Sequence, residues 1–101
     1  MRLEVIPWPD GAPPTETALR RRLEADGFDV FAWQDAPGAR YTAHHHDHDE
    51  SIWVVTGELT FGIAGTTLRL GPGDRLMLPA GTVHTASGGP AGAAYLIGRQ
   101  R

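Results

Sequence analysis

Four of the five histidines fall in a single run, His44-His45-His46-Asp47-His48-Asp49-Glu50, and the fifth, His84, stands far along the chain. On an extended strand alternate side chains share a face, so His44 and His46 project together while His45 points the other way. Glu50, after a turn through Asp47–Asp49, opens the following strand and returns a carboxylate toward the same point. His84 approaches from a neighbouring strand. Three neutral imidazoles and one carboxylate suit one divalent transition metal ion: zinc, iron, manganese, nickel or copper. Around a six-coordinate ion, four protein ligands leave two positions for water, oxygen or substrate. The spacing also leaves open a solvated histidine-rich turn, with His84 as an ordinary half-buried residue.

The same alternation, run backward from His44, puts Thr42 and Arg40 on the interior face. There a guanidinium could hold a substrate carboxylate or phosphate through two parallel hydrogen bonds. A bulge in the strand would reverse that parity and leave Arg40 facing solvent at the mouth. His48 shares the parity of His44 and His46. It is a candidate general base, a donor behind the ligands or an alternative ligand, or else an outward-pointing turn residue. Ser51 and Thr85 flank ligands but belong to no serine–histidine–acid arrangement. No catalytic residue is assigned.

The absences are as informative. The chain has no cysteine, which removes disulfides and thiolate ligands, so a metal must use nitrogen and oxygen. It has no lysine, which removes Schiff-base chemistry through a side-chain amine. A formal charge of −3 offers no basic field for a phosphate backbone, so nucleic acid is not an expected partner. The one basic run, Arg20-Arg21-Arg22, reads as the solvated face of a helix. The N-terminal residues lack the apolar core of a signal peptide, and no stretch approaches the ~18 apolar residues of a membrane span. The expected location is the cytoplasm, with no membrane partner.

Holding these residues in place requires a scaffold, and 101 residues suffice for one domain with one core. The 13 glycines and 8 prolines favour short strands and tight turns over a helical bundle. Residues 3–6 read as an edge strand, and the prolines between 7 and 14 enforce irregular chain. From Thr15 to about Asp26 helix formers surround Leu19 and Leu23, four apart, and Gly27 supplies a stop. The period then becomes strand-like, with strands expected at about 28–34, 39–46, 51–56, 58–64, 66–70, 74–78, 82–87 and 93–98. Gly57, Ala64-Gly65 and Gly71-Pro72-Gly73 are placed as turns, and Ser87–Gly92 as a surface loop. Phe31, Trp33, Trp53, Phe61, Met77 and Tyr95 are the candidates to fill the interior. The expected fold is therefore all-β and antiparallel, a sandwich or barrel (28–101) preceded by an N-terminal segment (1–27) carrying the edge strand and the short helix.

Two motifs sharpen that expectation. The first runs Gly38, five residues, His44-His45-His46, three residues, Glu50, six residues, Gly57. The second runs Gly73, five residues, Pro79-Ala80-Gly81, two residues, His84, then three residues to Gly88. In this the sequence resembles the small single-domain cupins; only the last position departs, since that family carries asparagine where Gly88 stands. The resemblance covers residues 38 to 88. It implies a jelly-roll barrel, metal ligation by His44, His46, Glu50 and His84, and a small polar or anionic organic ligand. It further implies homodimers and chemistry of the dioxygenase or isomerase type, or alternatively a non-catalytic binding or sensing module. Gly88 touches the turn after the second motif and no ligand.

Overall fold

Thr15 opens the helix as its cap, its side chain accepting from the Ala18 N–H at 3.3 Å, and helix α1 spans Glu16–Ala25. Its end is set by Gly27, whose φ of +96° is the left-handed conformation that follows a helix C-terminus. The computed structural model describes residues 1–9 and 11–101; Asp10, within the stretch expected to be irregular, lies outside the described residues. Around α1 the chain forms β1 (Glu4–Ile6), β2 (Phe28–Asp35), β3 (Arg40–His44), β4 (Glu50–Ile63), β5 (Thr66–Leu70), β6 (Arg75–Leu78) and β7 (His84–Gln100). All pairings are antiparallel. The path runs β1-β6-β4-β7-β2, with β3 also on β7 and β5 also on β4.

Apolar side chains separate into two clusters. Ile52, Val54, Leu59, Phe61, Leu70, Leu76, Leu78 and Tyr95 fill the space enclosed by the sheet. Leu19 and Leu23 of α1 pack with Phe28 and Leu96 against its outer surface, over Trp53, Met77 and Trp8. Burying each such leucine contributes about 1.5–3 kcal/mol, which is what fixes the helix to the sheet. Of the six expected interior residues, Phe61 and Tyr95 are interior; Trp53 and Met77 belong to the outer cluster. Phe31 and Trp33 lie on the opposite face of β2 from the helix-facing Phe28 and Val30 and are 48% and 50% exposed.

Two expected breaks are absent. Gly57 is not a hairpin turn: β4 runs straight through it, with register shifts on either side. Ser87–Gly92 lies within the span of β7 rather than between two strands: Ser87 and Gly88 keep ladder partners on β4, and the pairing then skips Gly89–Gly92 and resumes at Ala93. The cause is a shared kink. Gly57 (φ +78°) pairs with Ala93 beside Gly92 (φ +76°), and a Cβ at Gly57 would sit 2.2 Å from the Gly92 carbonyl oxygen. Glycine therefore allows a close approach at this level, where the register shifts between Leu59↔Gly88 and Gly57↔Ala93, so one strand serves two regions of the sheet.

The Ala64-Gly65 turn does form, joining β4 to β5 with positive φ at both residues, as a two-residue primed turn requires. So does the Gly71-Pro72-Gly73 bend, where the Asp74 N–H donates to the Gly71 carbonyl at 3.0 Å and the Asp74 carboxylate accepts from the Gly71 N–H at 2.9 Å. The N-terminal segment is tied to this bend, since the Trp8 N–H donates to the other Asp74 oxygen at 3.0 Å. Among the described residues no helix is long and apolar enough to cross a membrane.

Candidate metal centre

His44, the last residue of β3, pairs directly with His84, the first residue of β7, and their rings stand 4.3 Å apart between centroids. His46 lies beyond the strand end, in the segment between β3 and β4, so strand alternation is not what places it. It is held instead from the opposite loop. Its carbonyl accepts from the Gly81 N–H at 2.8 Å, and Asp49 Oδ1 accepts from the Ala80 N–H at 2.8 Å. The Pro79-Ala80-Gly81 bend that delivers His84 is thereby fastened to the segment that carries His46. Asp47 is solvated, whereas Asp49 has this structural task.

The ligand nitrogens of His44, His46 and His84 all lie within 4.8 Å of one another. The His44 Nδ1 is 2.6 Å from the Thr42 carbonyl oxygen and the His84 Nδ1 is 2.9 Å from the Thr82 carbonyl oxygen. A carbonyl can only accept, so each Nδ1 carries the proton and each Nε2 is left with a free lone pair. Burial lowers the pKa of His46 below that of an ordinary histidine, and the nearby His84, His44 and His48 add to this against the opposing pull of Glu50. A neutral imidazole is the form that binds a metal.

Glu50 opens β4 and is 4% exposed. Its carboxylate belongs to a second group of close ligand atoms, with His46 and His48. His48 Nε2 is 2.8 Å from Glu50 Oε2, and His46 Nε2 is 3.6 Å from Oε1. His46 is thus common to both groups. His45 points away, 56% exposed in its side chain. Ser51 is buried and accepts from the Arg75 Nε at 2.7 Å, far from any nucleophile's surroundings.

Above these groups opens a cavity of about 210 Å³. Its size is under the ~300–1,000 Å³ usual for drug-sized ligands, which limits an occupant to a small molecule. Ile52, Leu59, Phe61 and Ile97 give it an apolar lining, and Trp33, Tyr41 and Tyr95 form an aromatic wall. That wall is fixed from behind by Asp35, 8% exposed. Its Oδ1 accepts from the Tyr41 hydroxyl at 2.5 Å and the Trp33 Nε1 at 3.1 Å, and its Oδ2 from the Tyr95 hydroxyl at 2.9 Å. Both tyrosine pKa values are raised: Tyr41 chiefly by the hydrogen bond to Asp35, Tyr95 chiefly by burial and then by Asp35.

Arg40 does not reach this cavity. The register of β3 on β7 shifts between Tyr41 and His44, and the irregularity reverses parity, so Tyr41 lines the cavity. Arg40 and Thr42 line a separate surface groove along with Thr60 and Thr67. The guanidinium at the cavity belongs to Arg99, whose Nε is 3.9 Å from Glu50 Oε2. Counting alternate positions from Tyr95 through Ile97 would have found it, but the last strand was expected to stop at 98.

A β-barrel with two histidine-bearing segments meeting at one mouth defines a class, and comparison with known sequences agrees. The model of the cupin domain matches residues 31–94, and the chain belongs to the cupin family. It is 33% identical to quercetin 2,3-dioxygenase of Bacillus subtilis across 81% of this chain, but it spans only 30% of that enzyme's length. Among solved structures it is similar to KdgF from Halomonas sp., with 31% identity, a TM-score of 0.60, and coverage of 72% of this chain and 71% of that one. It is also similar to the DMSP lyase DddQ from Ruegeria pomeroyi, with 26% identity, a TM-score of 0.67, and coverage of 75% of this chain and 39% of that one.

Proposed function

We propose that His44, His46 and His84, with Glu50, hold one divalent transition metal ion, and that the protein is a metal-dependent enzyme acting on a small organic molecule in the adjoining cavity. The observation that carries this reading is the three clustered imidazoles, two of which have their Nδ1 protons committed to backbone carbonyls so that Nε2 is free. The donor set fits a nitrogen-and-oxygen site for zinc, iron, manganese, nickel or copper. When bound, the ion supplies Lewis acidity and, if redox-active, access to oxygen chemistry.

The remaining work falls to the chain. His48 orients the Glu50 carboxylate through its 2.8 Å contact. The aromatic wall and the apolar lining exclude water and limit the substrate's size. Similarity to quercetin 2,3-dioxygenase supports a dioxygenase reading, and an isomerase is the other reaction type suited to the same ligands. The reading includes a cytoplasmic homodimer, for which β2, at the end of the sheet path, offers an edge for pairing two copies.

Metal analysis of untagged protein, followed by oxygen-uptake assays on a panel of small organic acids, phenols and sugars, tests the reading. Bound iron, copper, nickel or manganese with oxygen consumption is the dioxygenase outcome. Rearranged product without oxygen consumption is the isomerase outcome. Failure to retain or take up any of the five metals would overturn the metal site, and saturable ligand binding without turnover would make the protein a binding module. Sedimentation of a monomer at micromolar concentration would overturn the dimer.

A further inference from the structure

Arg99 stands at the cavity in a long ion pair with Glu50. Tyr95, Ile97 and Arg99 occupy alternate positions on β7 and all line the cavity, so they share one face of that strand. Among the described residues Arg99 is the only arginine in the lining and Glu50 the only carboxylate. The separation of 3.9 Å between the Arg99 Nε and Glu50 Oε2 is too long for a hydrogen bond, and the arginine side chain is 51% exposed. The guanidinium carbon lies 5.3 Å from the centre of the Phe31 ring, on the neighbouring strand β2. The ring supports the guanidinium while its N–H groups remain available.

Resting on the metal reading above, we infer that Arg99 is the anion-recognition residue of this cavity and that the molecule bound there carries a carboxylate. Glu50 would be engaged by the ion and His48, and an imidazole ligates an ion only in its uncharged form, so a divalent ion together with Arg99 leaves the lining with surplus positive charge even after Asp35, behind the tyrosines, is counted. A planar, singly charged carboxylate matches the guanidinium fork. A phosphate dianion would cost more to desolvate among Ile52, Leu59, Phe61 and Ile97.

Propionate and its neutral isostere propionamide serve as probes. Both are titrated calorimetrically into wild type, Arg99→Gln and Arg99→Lys, each in zinc-loaded and metal-free form, with zinc per chain measured on the same samples. Arg99→Gln is expected to weaken propionate binding by about 10- to 100-fold, the range for a charge-assisted contact. Arg99→Lys should recover part of the loss, and propionamide affinity and zinc content should stay unchanged. Equal propionate affinity in wild type and Arg99→Gln, or propionate binding no tighter than propionamide to wild type, overturns the inference. Failure of the metal reading shows separately, as wild-type protein that takes up no zinc while the Arg99 dependence persists in the metal-free samples.

Discussion

His44 and His84 are partners in the β3–β7 ladder, and each donates its Nδ1 proton to a carbonyl two residues earlier in its own segment. The two rings are therefore set by the same local device on two strands. Each ring's orientation is decided by its own backbone, before any ion arrives, and the ladder brings the two together.

His84→Ala should remove a ligand and His48→Ala only the partner of one. Loss of a group that orients a ligand costs about 10- to 100-fold in metal affinity, which is the expectation for His48→Ala. The His84→Ala loss should exceed it. Competition with a chromophoric chelator measures both, and equal losses would mean that His48 is itself a ligand.

Ion binding should be lost on acidification. His46 is held neutral by burial, with a pKa below the ordinary 6.5. The fold thus favours its neutral form, and the stability associated with it is present above the histidine range and lost as pH falls through it. The ion adds to this by binding only neutral imidazoles. At about 100 times its dissociation constant it should contribute roughly 2.7 kcal/mol. Thermal melts with and without zinc should separate above the histidine range and converge below it. A gap that persists unchanged at low pH would speak against imidazole ligation.

The chain has two tyrosines, and both donate to Asp35. An ultraviolet titration should place both phenol midpoints above the ordinary value of 10.0. Because the folded state favours the protonated phenols, the stability from this network is full below that pH and is lost as pH rises beyond it. Asp35→Asn should bring the Tyr41 midpoint back toward the ordinary value and cost about 2 kcal/mol, as removal of a charged acceptor does. An unaltered midpoint would show that the carboxylate does not govern the pair.

Two turn substitutions should act in opposite directions. Ala64 has a φ of +51°, and Ala64→Gly relieves a conformation that costs a side chain about 1–2 kcal/mol, so part of that should appear as added stability in urea unfolding. Gly57→Ala forces a methyl to 2.2 Å from the Gly92 carbonyl and should cost more than ~2 kcal/mol or prevent folding. If Gly57→Ala were neutral, the shared kink would not be needed to keep β4 and β7 paired.

The two motifs made much of this architecture readable. Gly38, His44, Gly73, Gly81 and His84 fall at turns or strand ends, where spacing in the chain translates directly into position. Parity failed where the strand was irregular. The bulge between Tyr41 and His44 exchanged Arg40 for Tyr41, and nothing in the residues themselves announces a bulge. Glycine was ambiguous for a related reason: positive φ at Gly57 and Gly92 serves a kink as well as a turn, and only the partner strand decides between them. Asp35 was invisible because a lone acid between aromatic residues acquires its meaning only when Tyr95, distant in sequence, arrives beside it.

One strand, β7, carries His84 at its start and Arg99 near its end, and it pairs with β2, β3 and β4. Such long-range pairings close large loops and form slowly. His44 and His46 gain their third companion only after β7 has docked, so the cluster is completed late. An ion that requires the whole cluster stabilises the native state more than the transition state, and its kinetic signature is slower unfolding with little change in the rate of folding.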